Sequence, residues 1–200
     1  MFTNFQSISE VQQTYGIRYE DGTFIVPTDR VPSDCLIEKL RFNTEHLDTG
    51  GSDAIRRQFL ASPVLLDIYT YYTETLAFWA DKPLCADTVL CGIPAYIFAT
   101  KSLLGKKVLG LPLVLIVEAK KNDFDQGWGQ CLAELVAAQK MNNTPEKPVF
   151  GIVTDAIRWE FGKLTANVFI QDEGNYSTDE ITELFGAIDF VLKSSLSTLH

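Results

Sequence analysis

Three residues near the middle of the chain carry the chemistry that the sequence suggests: Glu118, Lys120 and Gln130. Glu118 follows directly on residues 113–117, Leu-Val-Leu-Ile-Val, a run with no polar interruption. Such a run predicts a strand covered on both faces. Side chains alternate along a strand, so Glu118 and Lys120 share a face, roughly 6.5 to 7 Å apart, while Ala119 points the other way. A carboxylate and an ammonium at the mouth of a buried strand could hold a divalent metal and polarise a water beside it. The same pair also reads as a solvated ion pair, worth about 0 to 1 kcal/mol.

The elements around this pair must position it. Gly127-Trp128-Gly129 predicts a turn after the strand. Residues 130–141, rich in Ala, Leu, Glu and Gln, predict a helix. Gln130 and Glu134 lie four apart on one helical face. In the first turn, the Gln130 side chain can reach back toward the strand end.

Four stretches carry a resemblance to a known family. They are Gly51-Ser52-Asp53-Ala54-Ile55-Arg56-Arg57, Leu90-Cys91-Gly92-Ile93-Pro94-Ala95-Tyr96-Ile97-Phe98, Val117-Glu118-Ala119-Lys120 with Gly129-Gln130-Cys131-Leu132-Ala133-Glu134 after it, and Gly151-Ile152-Val153-Thr154 leading into Trp159-Glu160-Phe161. Together they resemble the PD-(D/E)XK nucleases of the restriction-endonuclease-like superfamily, and within it a group of uncharacterised bacterial proteins. The resemblance spans residues 50–164. It implies a restriction-endonuclease-like core and a phosphodiester hydrolase, dependent on Mg²⁺ or Mn²⁺, that acts on DNA. It implies Glu118 and Asp53 as metal ligands, and Lys120 as the group that assists the attacking water and the phosphate. Gln130 would support Lys120 or contact the phosphate. The chain departs from the family pattern after Gly92-Ile93-Pro94, where Ala95 stands in place of the expected Asp. Alanine offers no oxygen to a hard cation. The resemblance with this departure implies weak metal affinity and impaired cleavage. The alternative is a catalytically inactive module of the same fold that binds nucleic acid or protein. Asp87 lies eight residues before Ala95, roughly 26 Å away along a straight strand. It could substitute only through a tight reversal near Gly92 and Pro94. Glu74 is held in reserve as a further metal-facing acid.

Composition bounds the rest. Two hundred residues suit one domain, residues 1–200, with a full-sized core. Hydrophobic content of 46% and charged content of 22% are those of an ordinary globular protein. Cys35, Cys85, Cys91 and Cys131 have no C-x-x-C spacing, and His46 and His200 are the only histidines. That argues against zinc and for small buried thiols in a reducing cytoplasm. Residues 1–10 lack the basic start and apolar centre of a signal peptide. No stretch reaches the roughly 18 apolar residues that a membrane span requires. The net charge of −9 argues against broad nucleic-acid binding. Residues 101–121 nevertheless carry five lysines against Glu118 alone, and residues 171–189 carry six acids and no base. This separation could present phosphate to one end of the molecule, or it is a solvated lysine loop.

Read in order, the chain predicts helices, strands, a helix, strands and a helix. That is an α/β protein with a mixed central sheet flanked by helices. Phe2, Phe5 and Ile8 predict a short amphipathic helix over residues 1–13, and Asp21-Gly22 predicts a hairpin within 17–27. Residues 35–42 read as a helical turn or a strand, and 43–51 as a flexible insertion. Ser52 is a natural cap for a helix opening at Asp53, where the helix dipole favours an acid. Residues 64–78 read as an apolar continuation. Tyr69, Tyr71, Tyr72, Phe78 and Trp79 form an aromatic stretch that is core or the interface of a homodimer. Residues 84–100 are β-rich and 102–111 a loop. Strands are expected at 149–154, 157–161 and 166–170, and a closing helix at 181–196.

Overall fold

The computed structural model describes residues 1–120 and 123–198, the side chain of Asp53 excepted. The strands are β1 (Arg18–Gly22), β2 (Leu76–Ala80), β3 (Leu84–Cys85), β4 (Cys91–Gly92), β5 (Tyr96–Thr100), β6 (Leu113–Ala119), β7 (Val149–Thr154), β8 (Arg158–Thr165), β9 (Val168–Asp172) and β10 (Tyr176–Ser177). The α-helices are α1 (Ile8–Tyr15), α2 (Asp34–His46), α3 (Asp53–Arg56), α4 (Ser62–Tyr69), α5 (Phe124–Asn142) and α6 (Ile181–Ser197). One mixed sheet runs in the order β1-β9-β8-β7-β6-β5-β2, with β10 on β8, and β3 pairs β4 apart from it. This is the expected α/β architecture.

The central strand β6 pairs antiparallel with β5 and parallel with β7. A parallel pair needs a crossover between its strands, and α5 is that crossover. The uninterrupted apolar run of β6 is explained by its two covered faces. Leu115 and Val117 join the core beneath α4 and α6, with Leu184, Phe185, Ile188 and Leu192. Ile116 joins the core beneath α1 and α5, with Trp128, Cys131, Leu132 and Leu135. Each such buried side chain contributes roughly 1.5 to 3 kcal/mol.

Several local expectations give way to tertiary packing. Gly127-Trp128-Gly129 is not a turn. α5 begins earlier, at Phe124, where the Asp123 carboxylate caps it by accepting the Gln126 N–H at 2.9 Å. The two glycines allow close approach instead: a Cβ on Gly127 would lie 2.7 Å from Val153 Cγ1, and one on Gly129 would lie 2.5 Å from Ser7 N. Asp21-Gly22 makes no hairpin, because β1 runs on through it in parallel register with Gln171 and Asp172 of β9. Residues 35–42 belong to α2, which continues to His46 into the expected insertion, and Asn43 Nδ2 donates to Phe59 O at 2.8 Å. The aromatic stretch is split. Tyr69 ends α4 and Phe78 lies on β2, and both rings pack on Phe98 of β5.

The cysteine reading needs the same correction. Cys85 and Cys91 face each other across β3 and β4 and are joined as a disulfide. Cys35 is exposed, so the buried-thiol expectation holds for Cys131 alone. Among the described residues no helix is long and apolar enough to cross a membrane.

Candidate functional site

Glu118 stands where β6 leaves the core. Pairing with β7 extends to Ala119 opposite Thr154, and the Lys120 N–H donates to Thr154 O at 2.9 Å. This last bond keeps Lys120 in strand geometry, so the alternation holds and its Nζ lies 3.9 Å from Glu118 Oε1. The shared face is the one beneath α5. A Cβ on Gly127 would lie 3.6 Å from Cβ and Cγ of Lys120, so the first turn of the helix presses on the lysine stem. Glu118 is only 5% exposed, whereas the Lys120 side chain keeps 27% of its surface in water.

Ala95 lies immediately before β5, next to the Tyr96–Val117 pair, and its backbone N–H helps to draw the Glu118 carboxyl down. The position where the resemblance expects an Asp is therefore beside the strand-end acid. Burial pushes the Glu118 carboxyl up to about 7, against the pull of Lys120, the Ala95 N–H and Arg57. The Arg57 guanidinium is itself held by Asp81, at 2.6 and 3.2 Å. Arg56 bridges to Asp155 Oδ2 at 3.3 Å and donates to Thr49 O at 3.0 Å. Arg56, Arg57, Lys120 and Asp155 line a narrow recess with Ala119, Thr154 and Ala156. Each of these three cations already has a carboxylate: Arg56 has Asp155, Arg57 has Asp81 and Lys120 has Glu118.

Beneath the pair lies a second acid, on α5. Glu134 is wholly buried and Gln130 is 5% exposed. Gln130 Nε2 donates to Glu134 Oε1 at 3.4 Å. Gln130 Oε1 and Glu134 Oε2 have no hydrogen-bond partner among the described residues. Burial, and then the charge of Glu118, hold the Glu134 carboxyl well above the usual carboxylate range, against Gln130 and Lys120.

Asp53 is the first residue of α3, and Ser52 Oγ accepts the Ile55 N–H at 3.3 Å, but the Asp53 side chain lies outside the described residues. Asp87 does not substitute at residue 95. It closes the β3–β4 turn by accepting the Val89 and Leu90 N–H groups, and it pairs with Lys140 at 3.0 Å. Those bonds, led by that of Leu90, hold its carboxyl down at about 2. Lys140 is thirteen residues beyond Gly127 along α5, a rise of roughly 20 Å. Glu74 is exposed in the turn between α4 and β2. Lys101, Lys106 and Lys107 lie in the loop after β5, at the Leu113 end of β6. They stand roughly 20 Å from Glu118, so the lysine-rich stretch is not one patch. Lys121 lies outside the described residues.

Glu134 entered the sequence reading only as the helical neighbour of Gln130. Its signal was present: an acid set within Cys131-Leu132-Ala133 and Leu135-Val136-Ala137, with no polar face to occupy. Asp189, inside the apolar part of α6, carried the same signal and was missed. It receives Thr28 Oγ1 and Tyr72 OH, each at 2.6 Å, Lys193 Nζ at 2.7 Å and Arg30 Nε at 3.3 Å. Among the described residues no three His, Cys, Asp or Glu side chains gather as a metal-holding set. Around the end of β6 stand two carboxyl groups, one amide and one ammonium. No protein-family model matches the chain, and no curated protein matches it.

Proposed function

We propose that the chain is a divalent-metal-dependent phosphodiester hydrolase of the restriction-endonuclease-like kind, acting on DNA, with cleavage impaired by Ala95. The observation that carries this reading is the paired Glu118 and Lys120 at the end of a buried strand, with Arg56 and Arg57 close by. The mixed sheet with helices on both faces is consistent with it. The unpartnered oxygens of Gln130 and Glu134 make the neighbourhood of Glu118 one that accepts a cation. Glu118 would hold Mg²⁺ or Mn²⁺, with Asp53 as the further ligand that the resemblance suggests. Bound there, the metal supplies Lewis-acid polarisation of a phosphate oxygen and lowers the pKa of a coordinated water.

The chain's own groups account for the rest. The Lys120 ammonium orients the attacking water and offsets charge on the transition state. Arg56 and Arg57 steer the phosphate toward the end of β6, although each already serves a carboxylate. Residue 95 contributes a backbone N–H to Glu118 and no oxygen.

Ala95 also favours a second reading, a binding module of the same fold for nucleic acid or protein that has lost its chemistry. A plasmid-nicking assay with Mn²⁺ separates the two. The hydrolase reading expects slow nicking by the natural chain, faster nicking by Ala95→Asp, and none after Glu118→Gln or Lys120→Ala. Nicking in neither the natural chain nor Ala95→Asp, with both folded, leaves the binding module.

A further inference from the structure

The unpartnered oxygens on α5 ask for a positive partner. We infer that α5 completes a divalent-cation site with Glu118, in which Glu134 and Gln130 supply the oxygens that Ala95 lacks. The use of the cation rests on the hydrolase reading, but its binding does not.

Gly127 has no Cβ, so α5 settles onto Lys120 and Val153. One and two turns further along, Gln130 and Glu134 are thereby carried against the sheet near Glu118. Both are at least nine-tenths buried, where an acceptor oxygen without a donor is costly. Gln130 has committed its amide nitrogen to Glu134, which leaves its carbonyl oxygen open. Rotating the amide would only exchange one unmatched group for another. Lys120 does not meet the need, because it pairs with Glu118 and leaves Glu134 Oε2 unpartnered.

The donor set also selects the cation. Two carboxylates and an amide oxygen are hard ligands, suited to Mg²⁺, Mn²⁺ or Ca²⁺. Cys131 is buried nearby, but its Sγ is directed to Ile152 O at 3.9 Å, so no thiolate joins the set to favour zinc. Once both acids give up their protons to the cation, two carboxylates stand against the single Lys120 ammonium, and a divalent ion offsets the excess.

The test is Mn²⁺ binding by the full chain, followed by calorimetry and by electron paramagnetic resonance of free Mn²⁺. The proteins compared are the natural chain, Glu134→Gln, Gln130→Leu and Glu118→Gln. The inference expects one saturable site in the natural chain, weakened at least roughly tenfold in all three variants. Gln130→Glu adds a carboxylate and is expected to bind tighter by a similar factor, which keeps the test open should a weakening variant fail to fold. Weakening in Glu118→Gln alone overturns the role of α5 and leaves the hydrolase reading intact. Weakening in all three with no nicking under any metal supports the site and removes the hydrolase reading. No binding by the natural chain, or no tightening in Gln130→Glu, overturns the inference.

Discussion

Asp189 and Glu134 are both wholly buried acids on long helices, yet their surroundings are opposite. Burial pushes the Asp189 carboxyl up, but bonds from Lys193, Thr28 and Tyr72 outweigh it and hold the group low. Every oxygen has donors, and the cluster ties α6 to the loop before α2 and to Tyr72. Glu134 has one amide contact, one unpartnered oxygen, and a proton that burial and Glu118 hold in place. A saturated buried acid is a structural pin, because moving any partner costs a bond. An undersupplied one has coordination capacity left for something else. Burial alone does not separate the two roles, whereas the count of donors does.

The largest expected effect is on the saturated side. Asp189→Asn places an NH₂ among the donors of Tyr72, Thr28 and Lys193, and is predicted to cost about 3 kcal/mol in urea unfolding. A cost under about 1 kcal/mol would show that the cluster does not hold the fold. Next comes the pH dependence of Glu118. Its carboxyl titrates at about 7 in the folded chain against an ordinary 4.5, so the folded state keeps a proton that the unfolded chain releases. The stabilisation is therefore full below pH 4.5 and lost as the pH rises to 7, by up to about 3 kcal/mol. Subtracting the unfolding curves of Glu118→Gln from those of the natural chain isolates this slope, and a flat difference would contradict it. Asp189 acts with the opposite sign, its contribution being lost as the pH falls through its lowered pKa. The smallest effect is expected for Glu134→Gln without metal. Burial and Glu118 favour the neutral form of Glu134, which an amide closely matches, so the change in stability is predicted to stay within about 1 kcal/mol. A loss as large as that of Asp189→Asn would make Glu134 a second pin and erase the contrast.

What the sequence disclosed followed from how local each signal was. The apolar run before Glu118 disclosed β6, and the alternation of side chains alone put Glu118 and Lys120 together. The spacing of Leu184, Phe185, Ile188 and Leu192 disclosed α6. The extended segment of β1 was legible, but its course was not, because its partner β9 lies about 150 residues away and Asp21-Gly22 taken alone favours a turn. The start of α5 was misplaced because glycine signals both turns and close packing, and only the neighbours Val153 and Ser7 decide between them. Glu134 and Asp189 were each visible as an acid in an apolar helix. Their different roles were not, since the partners that distinguish them come from elsewhere in the chain.

The carboxyl carbon of Glu118, followed by ¹³C nuclear magnetic resonance through a pH titration with and without Mg²⁺, gives the most direct test. The expected midpoint is near pH 7 without magnesium, and it moves lower when magnesium competes with the proton. A midpoint near 4.5 that magnesium leaves unmoved would mean that Glu118 is an ordinary solvated acid and that no cation is taken up at the end of β6.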